Sequence, residues 1–494
     1  MNNKKSDIVS SLSEFVRDKI GLHFEPKNYH ELEYKMLQVS KSMGFKVLAD
    51  FYTYLQEEKD QDKVTDILAS SLVVGETYFC RDRELFKSLE ESVLPALIDL
   101  KSSGNKTLRI WSAAAATGEE AYSVAMLLDR LIPDLKSWNI SICATDINHE
   151  FLARARNAEY TDWSFRSAPG WMKEGYIIRA GRNSYKLNDR IRKMVKFSYL
   201  NLIQDVFPSV STNTNAMDLI LCRNVFIYFR EDDVLRVSEK LYNCLSNTGY
   251  LVTTPIESFQ YLSKKFKIQA IGNYVFYRKE LKKSLKPSSY LSQVHDPVLL
   301  NEKVPAAGRL KSPGRSGSKK TVSLISEKSK LHALYEAGNY PEAEQILDSM
   351  SSNGMDIDSI LLLARIKANL GKLDEAKAVC EKAITLNRLN EEVYYLYAMV
   401  FLELNDYLKA YEFLIRAIYI DPDFIMANFA LGQVASFLDK ESASQKYYAN
   451  TLKLLEKMEA DQIVRESDGI TALRLRLMIN EINFSNKSSM KKAI

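Results

Sequence analysis

The chain has 494 residues, 46% of them hydrophobic, enough to bury two or three separate cores. A formal net charge of +4 is small for that length and argues against a protein built to neutralise phosphates, so nucleic acid is not an expected partner. The N-terminal stretch MNNKKSDIVSSLSEF is polar, and no apolar run approaches the roughly 20 residues of a bilayer span, which predicts a cytoplasmic protein without membrane insertion. Cys80, Cys143, Cys222, Cys244 and Cys380 lack metal-ligand spacing, so no metal site is expected, and so sparse a set suits a reducing compartment.

Residues 1–80 read as a small helical domain: Ile8, Leu12, Phe15, Val16 and Ile20 recur at helical intervals, as do Leu32, Met36, Val39 and Met43. Over 81–282 short β-rich runs alternate with helices. The runs are Leu108 to Trp111, Ile140 to Ala144, Val195 to Phe197, Leu219 to Cys222, Tyr250 to Thr254 and Tyr274 to Tyr277. This alternation predicts an α/β domain with a mostly parallel sheet covered on both faces. Residues 283–328, rich in Lys, Ser, Pro and Gly, read as a flexible basic linker.

Beyond the linker the sequence repeats with a period of about 34 residues. Gly338, Gly371 and Asn405 recur, followed by Tyr340, Leu373 and Tyr407 and then by Ala343, Ala376 and Ala410. Ala383 and Ala417 keep the register, as do Ala364, Ala398 and Gly432, and Pro422 closes a repeat. Residues 329–460 are therefore expected to form three to four tetratricopeptide repeats, an all-α solenoid that binds a protein or peptide of unknown identity. A C-terminal helix and tail are expected over 461–494.

The chemical signals lie in the α/β region. Trp111 to Ser123, WSAAAATGEEAYS, joins a strand to an amphipathic helix running to about Leu131 through a run of very small residues. Such a turn either packs tightly or lets a cofactor approach the backbone. Glu119 and Glu120 at the helix start disfavour a pyrophosphate and favour a cofactor with hydroxyls and a positive centre; S-adenosylmethionine fits better than NAD or ATP. Asp146, at the end of the second strand, reads either as an acceptor for ribose hydroxyls or as a helix cap. Arg223 and Asn224 end an apolar strand where ligands sit in open sheets, and Arg223 reads as a site residue or a structural ion-pair partner. In ETYFCRD, Thr77 and Arg81 would share one face of a helical turn.

Taken together and in order, ETYFCRD, WSAAAATGEEAYS, ATDIN, VKFSYLNL and CRNVFIYF resemble the CheR-type family of chemotaxis-receptor glutamate methyltransferases, over about residues 6 to 280. The resemblance implies a Rossmann-like methyltransferase domain with a small inserted β-subdomain at about 160–190, behind an N-terminal helical domain. S-adenosyl-L-methionine is the implied methyl donor, and glutamates of chemoreceptors or a related sensory protein are the implied substrate. Carried over by position, the cofactor contacts fall on Thr77, Arg81, Glu119 or Glu120, Asp146, Asn201, Leu202, Arg223 and Asn224, with Tyr228 near the transferring methyl and Arg81 as the cation for cofactor or incoming carboxylate. A glutamate nucleophile, with a reference pKa of about 4.3, is already ionised at neutral pH and needs no general base. A dry aromatic lining is expected from Tyr78, Phe79, Tyr228 and Phe229.

Several positions depart from the family pattern. Gly75 replaces an asparagine, Ala115 and Ala116 replace other small residues, and Ala121 replaces a proline. Receptor-docking members carry an arginine-rich helix where this chain has ELEYKMLQVSKSM, in which Glu31 and Glu33 offset Lys35 and Lys41. The loop Ala180 to Ser184 is short for a receptor-tail binding segment, leaving the repeats as the expected route of tethering. The competing reading is a signalling scaffold whose repeats bind partners and whose methyltransferase domain only senses cofactor.

Overall fold

The computed structural model describes residues 2–279 and 330–480, apart from positions 105, 210–211, 255–256, 258–261, 263–264, 332, 336–337, 351–354, 405, 439 and 468; the expected linker lies outside the described residues. Helices α1 (Asn2–Ile20), α2 (Tyr29–Ser42), α3 (Leu48–Glu57) and α4 (Gln61–Leu72) turn their apolar faces to one cluster, where Leu12, Val16, Leu32, Met36, Phe51 and Leu68 are buried. Asp60 starts α4 by accepting the Lys63 N–H at 3.0 Å. No helix among the described residues is long and apolar enough to cross a membrane, and all five cysteines are buried.

The chain from 73 to 82 is not helical, contrary to the expectation for Thr77 and Arg81: residues 73–78 are irregular and 79–82 form turns. Cys80 and Asp82 there adopt φ of 52° and 79°. Helices α5 (Arg83–Ser88) and α6 (Leu94–Ser102) follow. The central sheet is built from β1 (Thr107–Ala113), β2 (Asn139–Asp146), β6 (Val195–Tyr199), β7 (Met217–Cys222), β8 (Leu245–Val252), β9 (Phe266–Ile271) and β10 (Tyr274–Lys279), in the order β6-β2-β1-β7-β8-β10-β9. The first five in that order run parallel, and β10 is antiparallel to both β8 and β9. All six residues of β7 are buried, as expected for a strand covered on both faces. Helices α6, α7 (Glu119–Leu131), α8 (His149–Asn157) and α11 (Glu231–Cys244) provide that cover.

Between α8 and β6 lies a small sheet of β3 (Glu159–Tyr160), β4 (Ile177–Arg179) and β5 (Tyr185–Leu187), accompanied by α9 (Gly170–Tyr176) and α10 (Asp189–Arg192).

Helical residues at 330–331 and 333–335 precede α12 (Tyr340–Met350), and the repeats continue as the pairs α13 (Ile357–Asn369) with α14 (Leu373–Leu386), α15 (Glu391–Glu403) with α16 (Tyr407–Ile420), and α17 (Ile425–Phe437) with α18 (Glu441–Leu455). Ala364, Ala376, Ala398, Ala410 and Ala417 are buried where the helices pack, which explains the demand for small residues at the repeating positions. The array rests directly on the α/β domain. Arg109 of β1 forms a buried ion pair with Glu403 of α15, Asn215 Nδ2 donates to the Ala368 carbonyl at 3.1 Å, and the Tyr340 hydroxyl donates to the Pro208 carbonyl. A cavity of about 630 Å³ lies between the two, with Lys196 and Tyr199 on the sheet side and Tyr395, Tyr407 and Phe429 on the repeat side.

Candidate active site

Four strand ends converge on one opening. β1 runs into Ala114, Ala115 and Ala116, β2 ends on Asp146, β6 leads into Leu200, Asn201 and Leu202, and β7 stops at Cys222 just before Arg223 and Asn224. The order β2-β1-β7 reverses the direction of winding at β1, and the crevice outside such a switch point is where open α/β sheets bind ligands. A cavity of about 370 Å³ fills it, closed on the far side by Leu22, His23, Val73 and Val74 of the N-terminal unit. That volume lies within the range of small-ligand sites.

The turn after β1 is held open to this cavity by its backbone. Ala114 and Ala116 adopt φ of 57° and 47°, a conformation that costs a residue with a Cβ about 1 kcal/mol. Gly118 has a φ of 92°, and a Cβ there would lie 2.9 Å from the Phe197 ring and 3.0 Å from the Ala155 Cβ, so glycine is required where α7 starts. The Ala116 N–H donates to Asp146 Oδ2 at 2.8 Å, and the Asn148 N–H donates to Oδ1 at 2.9 Å. Asp146 is buried, and burial raises its pKa to about 6 against the pull of these two bonds. The helix cap that competed with the site reading is supplied instead by Asn148, which accepts the Glu150 and Phe151 amides at 2.9 and 3.2 Å.

Of the two acids opening α7, only Glu120 lines the cavity. Its Oε1 accepts from Ser112 at 2.8 Å and its Oε2 from Arg223 Nη1 at 3.0 Å. Glu119 is corrected from a cofactor candidate to an internal support: its buried carboxylate accepts from the Thr117 hydroxyl at 2.7 Å and the Ser164 hydroxyl at 3.1 Å. Adjacent helical residues point about 100° apart, and here it is Glu120 that faces the cavity.

Arg223 joins three segments. It reaches Glu120, the Arg81 carbonyl at 3.0 Å and Asp82 Oδ2 at 3.2 Å, with its side chain only 4% exposed. Thr77, Arg81, Asn201, Leu202, Asn224 and Tyr228 also line the cavity. Arg81 donates to the Glu76 carbonyl, and the Asn201 side chain donates to the Lys19 carbonyl at 2.8 Å, tying the loop to α1. Tyr228 stands at the opening, 38% exposed, and its carbonyl accepts the His23 N–H at 2.8 Å. Of the expected aromatic lining, Tyr228 and Phe229 are present. Phe79 is fully buried and stacks on Phe165 at 4.5 Å, whereas Tyr78 packs under the Arg166 guanidinium at 3.5 Å.

Leu22, Val73 and Val74 on the far wall escaped the sequence reading, as did, among the polar residues at the site, Glu257 and His23. Glu257, buried, accepts the Asn224 and Val225 amides at 2.9 and 2.6 Å and the Thr254 amide and hydroxyl at 2.9 and 2.6 Å, which fixes Asn224 in its left-handed conformation. His23 lines the cavity with a buried Nδ1 that has no hydrogen-bond partner among the described residues. No local pattern marks either position. The missing asparagine at Gly75 has a steric cause, since a Cβ there would fall 2.4 Å from the Phe151 ring.

Residues 75–275 match the family described as CheR methyltransferase, SAM binding domain, and residues 357–388 and 391–424 match tetratricopeptide repeats. The chain is 31% identical over 187 residues to the probable chemotaxis protein methyltransferase of Rhizobium etli, covering 68% of that protein and 37% of this one. The chain belongs to the CheR methyltransferase family. It is also 29% identical to the chemotaxis protein methyltransferase of Borreliella burgdorferi over 252 residues, 51% of this chain and 87% of that protein. To the chemotaxis protein methyltransferase 2 of Vibrio cholerae it is 29% identical over 282 residues, 56% of this chain and 95% of that protein.

This CheR-type methyltransferase uses S-adenosylmethionine as its methyl donor. The cavity suits that molecule on its own chemistry. A buried carboxylate at the end of β2, a second one on Glu120, small alanines along one wall and the unpartnered His23 nitrogen favour a cationic ligand rich in hydroxyls and ring nitrogens.

Proposed function

We propose that this methyltransferase esterifies glutamate side chains of a chemoreceptor or related sensory protein. The observation that carries the proposal is one open cavity at the sheet's switch point with Asp146 and Glu120 inside it and Arg81 and Tyr228 among its lining residues. When bound, S-adenosylmethionine supplies an electrophilic methyl carbon on a sulfonium centre. Asp146 is suited to accept from ribose hydroxyls, and Glu120, held by Ser112 and Arg223, gives the cofactor's positive end a fixed negative neighbour. Thr77, Asn201, Leu202 and Asn224 complete the wall around it. Arg81 is the cation best suited to an incoming carboxylate, since guanidinium binds carboxylates through two parallel hydrogen bonds. Tyr228 and Phe229 shield the reacting carboxylate from water, while its ionised state at neutral pH removes any need for a base.

Incubating the full chain with methyl-labelled S-adenosylmethionine and the membrane fraction of its own cells tests this reading. Base-labile label should appear on a receptor-sized band, and Arg81→Ala should abolish it without unfolding the protein. Absence of label with the native chain, or full labelling by the variant, contradicts the proposal.

The elevated pKa of Asp146 has a consequence for pH. Its folded-state pKa of about 6 lies above the ordinary aspartate value of 3.8, so the carboxyl takes up a proton as pH falls through about 6 and then offers a ribose one acceptor fewer. Affinity for S-adenosylhomocysteine should be flat above that pH and fall by up to about tenfold per unit below it. Asp146→Asn should bind weakly with no such slope. Titration calorimetry between pH 5 and 8 reads both, and a native profile without the slope removes Asp146 from the contact.

A further inference from the structure

The segment that follows the last repeat pair reaches back to the loop carrying Asn201. Ala472, Leu475 and Ile479 are buried in the same apolar cluster as Leu431 and Tyr448, so this segment moves with the repeats. From it, Arg474 donates two parallel hydrogen bonds to Asp205, Nη1 to Oδ1 and Nη2 to Oδ2, each 2.9 Å, in a partly buried pair. Its guanidinium carbon sits 3.9 Å from the ring centre of Tyr199, the last residue of β6. Asp205 Oδ2 also accepts the Asn201 N–H at 2.7 Å, while the Asp205 N–H donates to the Asn201 carbonyl at 3.0 Å. The loop Leu200–Leu202 that lines the cofactor cavity is thus closed by a carboxylate that the repeat array grips. Thr471, three residues earlier, donates to Asp62 of α4, the helix whose C-terminal end leads into Val73 and Val74 on the opposite wall.

We propose that Arg474 is a positioning residue for the methyl-donor site: through Asp205 it fixes the Asn201 loop, and the repeat array thereby sets the affinity of the methyltransferase domain for its cofactor. This rests on the Leu200–Leu202 loop being part of the cofactor site. A bidentate pair fixes both distance and orientation of the carboxylate, which a single point charge does not. By linkage, a partner that moves the array away from Asp205 weakens cofactor binding, and bound cofactor opposes that movement by the same factor.

Calorimetry of the full chain with S-adenosylhomocysteine, with thermal midpoints measured alongside, decides the matter. Arg474→Ala and Asp205→Asn should each raise the dissociation constant at least about fivefold. Their combination should cost no more than the worse single change, because both remove one interaction. Arg474→Lys should recover part of the loss. Tyr340→Phe, which breaks the contact with Pro208 but leaves Asp205 alone, should bind as the native chain does. Native affinity in both Arg474→Ala and Asp205→Asn overturns the inference, as does an equal loss in Tyr340→Phe; if Arg474→Ala does not fold, Asp205→Asn alone decides. Asp146→Ala in the same series separates the two readings: if it too binds normally, the site assignment itself is wrong.

Discussion

Arg223→Ala should eliminate methyl transfer and cost about 3 kcal/mol of stability. The side chain is almost fully enclosed, and its fork is shared among Glu120, Asp82 and the Arg81 carbonyl. Removing one partner of a buried charge network leaves the others desolvated and unpaired, the most costly form of polar deletion. The loss is also geometric. Without the guanidinium, the segment Glu76–Asp82 loses its bonds to Arg223 after the end of β7, and Thr77 and Arg81 should shift on the cavity wall. Arg223→Lys should restore part of the stability and little of the activity, because an ammonium cannot bridge three acceptors in one plane. Label transfer together with urea denaturation checks both halves, and an active Arg223→Ala would show that the 76–82 segment does not depend on this network.

The second large effect is expected far from the cavity. Glu403→Ala should destabilise the protein by about 3 kcal/mol, because it strands Arg109 in the interface between β1 and the repeats, where both side chains are less than a tenth exposed. The Asn213 and Asn215 oxygens that also accept from Arg109 soften the loss and do not replace the charge. Pairing Arg109→Met with Glu403→Leu should recover much of it, since apolar side chains of similar volume can fill the place of a buried ion pair. A Glu403→Ala urea midpoint equal to that of the native chain would show that this ion pair does not stabilise the docking of the repeats.

The parts of the fold visible in the sequence are those that local pattern and spacing determine. Leu219 to Cys222 reads as a buried strand from its place in the strand–helix alternation, and the alanines at a spacing of about 34 residues read as the contacts of paired helices. β9 was not visible, because Phe266–Ile271 is an edge strand whose exposed Lys267 and Ile268 follow no alternation. Docking of the repeats was hidden for a different reason. Its signals are single polar residues such as Arg109 within an apolar strand, and their partners lie hundreds of positions away. The site was partly legible: strand ends supplied Asp146 and Arg223, whereas choosing Glu120 over Glu119 required the direction of α7. Glu257 acts by accepting backbone amides, which any acidic residue could do and no motif records.

On the proposed reading, S-adenosylmethionine binds where β1, β2, β6 and β7 end, with Asp146 at its ribose. Titration calorimetry of the native chain and of Asp146→Ala with S-adenosylhomocysteine tests it most directly. Binding by the native chain and a loss of at least about tenfold in the variant, equivalent to about 1.4 kcal/mol, is the predicted result. No binding by the native chain, or the same affinity in both proteins, would contradict it.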